Sequence, residues 1–344
     1  MRGRGGFGAG AGDRRFLLVI TGLLAIVMAL VSIGMIIGER MISWSALLEI
    51  LFQAEGSRID QILVWTLRLP RSLAACLGGA GLAVSGYLLQ TLTRNPLAGP
   101  GLTGVSYGAV APIVACFVFF PGLSSVLYPW VGLAGGFFGA ALTFWIARGG
   151  GGRPLALALG GISVSLFMNA VTSYVLILGG SQAPSLLFWL SGGFQGRSWS
   201  QLAYMAPWVV VGIVGALACR RVLGLLMLDE QAAAGMGVNL ALWKPVLLGL
   251  AVILVAGVVP VAGPVAFIGV SAPHIARLLR PAGPGRTIAL TAVVGALIVG
   301  LADLVARTIA LPQEIPIGVL TALIGGPVFL VLVQGRGAAL GGRG

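Results

Sequence analysis

Charge is scarce in this sequence. Only 9% of its 344 residues are Asp, Glu, Lys or Arg, against about 25% in an ordinary soluble domain. A water-soluble core of this size could not hide the remaining apolar surface, so the solvent is expected to be largely lipid. Acids and histidine are scarcest of all. Nine Asp and Glu and a single His leave little from which to assemble an acid–base pair. There is no Walker A loop, no GxSxG, no HExxH and no carboxylate pair within an apolar span. These absences argue against a membrane-embedded enzyme. They argue equally against an ion-coupled carrier, which usually needs intramembrane acids or bases to hold its ion. The three cysteines (Cys76, Cys116, Cys219) lie in or beside apolar stretches without paired spacing, which excludes a disulfide framework and a cysteine metal cluster. His274 follows Pro273 at a helix break with no Cys, Asp or Glu nearby. It reads as structural, and no metal site is expected.

What is abundant is apolar residues, 58% of the chain, and glycine, at 55 residues; the mean hydropathy is +1.03. Glycine is tolerated in membrane helices and lets them pack closely. A membrane helix needs about 20 mostly apolar residues. With Pro, Gly and charge clusters as breaks, the chain divides into ten candidate spans, at 17–37, 72–92, 103–119, 126–146, 155–178, 202–219, 243–259, 265–280, 287–306 and 316–334. The third and eighth are short or interrupted. The expected fold is all-α, one polytopic membrane domain over residues 1–344, with residues 1–15 as a cytoplasmic tail. The net charge of +12 is explained by topology rather than by nucleic acid. With the N-terminus inside, 15 of the 21 basic residues fall on the inner side, as the positive-inside rule requires. Six arginines (Arg40, Arg58, Arg68, Arg71, Arg197, Arg307) remain outside, unexplained by that rule.

The connections carry further signals. Residues 44–52 are apolar but too short to cross and read as an interfacial helix. The outer loop 179–200, rich in Gly, Ser and Trp, reads as a cap over the outer mouth. PLAGPGLTGVS (96–106) is echoed by PVAGPVAFIGVS (260–271) on opposite sides of the expected topology; this fits an inverted repeat or chance similarity of two Gly/Pro-rich breaks. Asp303, the one acid placed within a span, has Arg307 four residues on, and an i,i+4 pair is the preferred reading. The stretch 224–242 is amphipathic and Ala-rich, with Asp229 and Glu230 where acids suit a helix N-terminus and Gly235 and Gly237 where it would end. It could be a connector or could dock into a cytoplasmic partner.

Longer motifs carry a resemblance. Arg68-Leu-Pro-Arg71 opens a span that continues as GGAGLAVSG (78–86), Gln90 and RNPLAGPGLTGVSYGA (94–109). In order there follow FWLSGGFQGRSW (188–199), LLMLDEQAAAGMGV (225–238), GPVAFIGVSAPHIARLL (263–279) and ADLVARTIALPQEIPIGVLTALIGGPVFL (302–330). From about residue 15 onward the chain strongly resembles the FecCD family of ABC importer permeases, which carry ferric siderophores, haem and vitamin B12. It departs from the family after PHIARLL, where many relatives carry Gly-x-Asp-His-Arg and this chain has RPAGPGR (280–286), keeping only Arg286.

The resemblance implies ten helices in a bacterial inner membrane, both termini cytoplasmic. It implies a second permease subunit, identical or a paralogue, two cytoplasmic ABC ATPases and a periplasmic substrate-binding protein. No cofactor is expected on this chain; ATP and Mg would belong to the ATPase partner. Cargo would be an iron chelate, a ferric siderophore first and haem or cobalamin as alternatives. Arg68, Arg71 and Arg307 match positions that dock the binding protein, a role suited to fixed guanidinium groups. Asn95, Pro96 and Leu97 match the loop that narrows the cytoplasmic end, and Gly151 and Arg153 in GGGGRP (149–154) a second gate region. Asp229, Glu230, Ala233, Gly235 and Gly237 fall on the coupling helix, 225–240, that would fit into the ATPase.

Overall fold

Apolar runs punctuated by Pro, Gly and Arg fold as helices along the whole chain, and no β-strand occurs among the described residues. The structure, a computed structural model, describes residues 7–52, 57–149, 154–228, 230–311 and 313–327. The helices are α1 (Phe7–Ile36), α2 (Trp44–Phe52), α3 (Arg58–Ile62), α4 (Leu69–Thr93), α5 (Val105–Phe119), α6 (Tyr128–Gly149), α7 (Pro154–Leu178), α8 (Ala183–Leu190), α9 (Trp199–Ala218), α10 (Arg220–Leu226), α11 (Glu230–Gly235), α12 (Leu240–Ala262), α13 (Ile268–Leu278) and α14 (Pro284–Ala306). A further apolar helix, α15, covers Ile317–Pro327. A π-helical stretch, Leu63–Arg68, joins α3 to α4 without a break. Seven helices are long and apolar enough to cross a membrane alone, and the chain is a multi-pass membrane protein.

Two of the ten expected spans do not cross by themselves. The 15 residues of α5 and the 11 of α13 rise about 22 and 16 Å, short of the ~30 Å hydrocarbon thickness. Irregular backbone supplies the rest, over 95–104 before α5 and 263–267 before α13. Each stretch follows a long helix closed by a left-handed residue, Arg94 (φ 50°) or Gly263 (φ 66°). Each ends on another, Gly104 (φ 78°) or Phe267 (φ 65°). The two stretches that echo one another in sequence also meet in space: Pro100 lies against Gly269 and Gly99 against Val270. Irregular backbone at membrane depth is tolerable when buried in protein, and Ala98, Gly99, Pro100 and Gly263 are buried.

The molecule is organised around α4. Almost every residue of α4 is buried, and α14, α12, α13 and α9 surround it. Its small residues allow this. A Cβ on Gly79 would overlap the carbonyl oxygen of Gly295, and one on Gly86 would overlap the backbone of Gly269. Helices therefore touch backbone to backbone on two sides of α4, the contact that small residues permit in lipid. Hydrogen bonds reinforce it: Ser85 Oγ donates to Ala251 O (2.9 Å) and Gln90 Nε2 to Gly269 O (3.1 Å). By contrast α1 is apolar all round and exposed along much of its length, at Leu17, Leu18, Leu24, Ile26 and Met28. That is the composition of a lipid-facing helix.

α1 begins at Phe7, so much of the stretch expected as a tail is helical. Arg286, at the start of α14, pairs with Asp13 and lies over the Phe16 ring (5.1 Å to its centroid). These contacts hold the first turns of α1 against α14.

Gly86→Val is expected to force α13 off α4. Overpacking of this kind costs about 1–3 kcal/mol and should lower the melting temperature in detergent by several degrees. An unchanged melting temperature would mean that the two helices are not in backbone contact.

Candidate functional site

At one end of α4 the chain gathers three arginines and two acids. Pro70 lies in the first turn of α4, where its missing N–H costs nothing, and Arg68 and Arg71 flank it. Arg307 closes α14. Asp303, fully buried, accepts from Arg71 Nε (2.9 Å) and from Arg307 Nη2. The second amine of Arg71 reaches Glu314 (Nη1–Oε1, 2.7 Å). Arg307 also donates to Gly34 O (2.9 Å) and Ser72 Oγ (3.1 Å). Arg68 donates to Met35 O and Ile36 O (both 2.9 Å) and to Arg40 O. Arg40 is held in turn by Asp60 (2.9 Å).

Gly34, Met35 and Ile36 end α1, where carbonyls have no partner within the helix. Two guanidinium groups cap them, the favourable charge at a helix C-terminus. Gly34 and Gly38 make the approach possible. A Cβ on Gly34 would lie 2.8 Å from Ser72 Oγ, and one on Gly38 would lie 2.6 Å from Arg68 Nη2. The structure thus brings Arg68, Arg71 and Arg307 together and occupies Arg68 and Arg307 with the end of α1. Arg71 keeps one buried amine, Nη2, without a partner, as does Glu314 at Oε2. A cavity of about 280 Å³ lies beside them, lined by Arg40, Arg68, Arg71, Arg307, Glu39 and Glu314 among others.

The opposite end of α4 carries the second group. Arg94 is left-handed and ends the helix. Asn95 then makes a local turn, its Oδ1 accepting from Leu97 N (2.9 Å) and its carbonyl from Ala98 N (3.0 Å). Pro96 is exposed at the tip. Pro96, Gln90, Arg94, Arg277, Tyr87 and Met227 line a cavity of about 330 Å³, in which Arg277 Nη2 holds Gln90 Oε1 at 2.7 Å. Leu226 O accepts from Arg94 Nη2 (3.3 Å) and ties this turn to α10. Gly151 and Arg153 lie outside the described residues, as does Asp229.

α11 follows α10 and shows why glycine stands at 237. Val238 N bonds Ala233 O (3.0 Å) and Gly237 N bonds Ala234 O (2.9 Å). This is a Schellman closure whose turning residue must be left-handed, and Gly237 has φ 86°. Ala233 is buried beneath. Gly235 and Gly237 are exposed, and an added Cβ at either would meet nothing within 4 Å. The outer side of this turn is open.

A third feature lies on α7. Its exposed side carries Ser163, Asn169, Ser173 and Tyr174 among apolar residues. An amide or phenol facing hydrocarbon loses its hydrogen bonds with water at a cost of several kcal/mol. These polar groups are set among Leu159, Leu166, Phe167 and Ile177 on a face that is mostly apolar.

Glu314 is the functional-site residue that sequence reasoning missed. It stands in a Pro-flanked outer loop, 243 positions from Arg71, and no local spacing links the two. Asp303 was legible as a partner of Arg307 four residues on, but its second arginine, 232 positions away, was not.

The FecCD transport family profile matches residues 24–335. The Fe(3+)-citrate import system permease protein YfmD of Bacillus subtilis is 37% identical over 323 residues, 93% of this chain and 95% of that protein. The Fe(3+) dicitrate transport system permease protein FecC of Escherichia coli is 37% identical over 284 residues, 81% of this chain and 85% of that protein. A metal-chelate type ABC transporter solved in an inward-facing conformation superposes with a TM-score of 0.79 at 32% identity, covering 93% of this chain and 99% of that one.

Asp303→Asn is expected to leave two buried guanidinium groups without their shared countercharge. Removing one partner from a buried ion pair costs about 3–5 kcal/mol, so yield and melting temperature in detergent should fall sharply. Glu314→Gln, at a half-exposed partner, should fall much less. Equal effects would mean that Asp303 does not hold the cluster.

Proposed function

The chain belongs to the FecCD transport family, and from that premise we propose that it is the membrane-spanning permease of an ATP-driven importer of iron chelates. A ferric siderophore or ferric citrate is the favoured cargo, since the relatives matched over most of the chain are named for iron chelates. The chain itself catalyses nothing. A second permease copy or paralogue completes the pathway, two ABC ATPases on the cytoplasmic side bind and hydrolyse ATP with Mg, and a periplasmic binding protein delivers cargo. The membrane is the bacterial inner membrane with both termini inside.

The observation that carries a pathway is the exposed face of α7, uncharged and mostly apolar but studded with an amide, a hydroxyl and a phenol. Facing a second subunit across a wet channel, Asn169, Ser163 and Tyr174 gain hydrogen-bond partners. They hold a passing chelate only loosely, which suits transit. The binding protein docks at the α1–α4–α14 end, over the cavity lined by Arg71 and Glu314, while Arg68 and Arg307 keep the surface rigid. The turn Asn95–Leu97, with Gly151 and Arg153, narrows the cytoplasmic end. The coupling helix runs through Asp229, Glu230 and Ala233 to Gly235 and Gly237, and its open side seats on the ATPase. ATP drives the change because the ATPase binds the two arrangements of these helices with different affinity.

Reconstituted with its ATPase and binding protein, the permease should accumulate radiolabelled ferric chelate only when ATP is present. Accumulation driven by an ion gradient without an ATPase overturns the proposal. Gly237→Val places a β-branched residue at φ 86°, where L residues pay about 1–2 kcal/mol. It should uncouple ATP hydrolysis from uptake, with a fall in melting temperature of no more than a few degrees because the strain is confined to one turn; coupled transport at the normal rate would count against the coupling role. Arg71→Glu should weaken binding-protein stimulation of ATP hydrolysis about tenfold, and Glu314→Gln, which removes the internal competitor, should strengthen it.

A further inference from the structure

The outer loop between α8 and α9 holds a charge that the proposed mechanism leaves unused. Arg197 is largely withdrawn from water, and among the described residues no hydrogen bond or ion pair reaches its side chain; its buried Nε has no partner. Burial alone pulls its guanidinium below the ordinary arginine value, with no acid near enough to oppose the shift. An uncompensated buried cation is costly. Arg40, Arg68, Arg71 and Arg307, nearby on the same surface, are each matched to an acid or to helix-end carbonyls, so Arg197 stands out.

Arg197 borders a cavity of about 490 Å³, lined also by Phe117, Gln182, Phe188, Trp189 and Gln195. A second buried donor on its wall, Trp189 Nε1, is likewise without a partner. The walls are fixed rather than loose. Phe117 stacks on Tyr128 (centroids 4.5 Å apart) and packs against Trp189 (6.1 Å), and Gln195 Nε2 donates to Ile315 O (3.4 Å). The volume falls in the range of small-ligand sites, about 300–1,000 Å³, and is far larger than one carboxylate side chain from a docking protein needs. Aromatic walls, amide side chains and two convergent donors lacking acceptors describe a site for an oxygen-rich anion.

We propose that this cavity is an outer binding subsite for anionic oxygen-donor chelates, in which Arg197 supplies the countercharge and Trp189 Nε1 a second hydrogen bond. The inference rests on the importer reading and narrows it: cargo bearing free carboxylates is received here, ahead of the uncharged face of α7. A neutral chelate finds no use for Arg197.

The test uses the full chain in lipid nanodiscs and gallium(III) citrate, a diamagnetic stand-in for the ferric complex, read by tryptophan fluorescence. A saturable response is expected, abolished by Trp189→Phe, weakened about tenfold by Arg197→Gln, as loss of a charge-assisted bond implies, and weakened less by Arg197→Lys. A net-neutral gallium trihydroxamate should give a response at least tenfold weaker. Melting temperatures of the variants should match the wild type. No saturable response in the wild type overturns the proposal, as does equal affinity in Arg197→Gln. So does equal response to the neutral complex or to N-acetylglutamate amide, the last marking a docking site for a protein carboxylate. Binding that depends on Arg197 in a protein that shows no ATP-driven uptake would sink the importer reading and leave the subsite standing; uptake without such binding would do the reverse.

Discussion

Backbone-to-backbone contact along α4 is the constraint from which the rest of the structure follows. In lipid no hydrophobic drive pushes one apolar helix against another, so close fit and hydrogen bonds must do so. Gly79 against Gly295 and Gly86 against Gly269 let α14 and α13 approach until their backbones touch. Polar side chains in the same helix, Ser85 and Gln90, then reach backbone carbonyls of α12 and α13. A helix fixed on so many sides serves as a rod that joins the two faces of the membrane. Arg68 and Arg71 flank one end of it, and Gln90, Arg94 and the Asn95 turn stand at the other.

The two ends differ in rigidity for identifiable reasons. At the end near Arg71 a fully buried carboxylate is shared by two arginines, and two guanidinium groups cap the last carbonyls of α1. Each charge there is satisfied by a group from a distant part of the chain, so α1, α4 and α14 move together or not at all. At the end near Asn95 the contacts are single hydrogen bonds around a cavity, and α11 is one short helix closed by a glycine turn.

The interrupted pair α4–α5 and α12–α13 has a similar logic. Short helices preceded by irregular backbone leave amides and carbonyls that lipid cannot satisfy, and the structure packs the first stretch at Gly99 and Pro100 against the opening turn of α13 and the second at Gly263 and Pro264 against Trp189 and Gly192. The glycines that look like simple breaks in sequence are the points at which two backbones cross. The exposed side of α7 is the reverse case: Asn169 and Tyr174 stand there among exposed apolar residues rather than against another helix.

The sequence by itself determined that the solvent is lipid, where nearly all the helices run, which loops carry the positive charge, and that Asp303 and Arg307 pair. These are local properties: composition, the length of apolar runs and the four-residue spacing of a helix act within a few turns. The motifs also placed the three outer arginines in one group. Only the tertiary structure decided that Arg71 shares Asp303 with Arg307, that Glu314 is its second partner, that Arg68 and Arg307 cap α1, and that Arg197 meets no acid among the described residues. Each of those depends on which distant backbones come within hydrogen-bond reach, and that is set by how closely glycine and alanine let α4 and its neighbours pack.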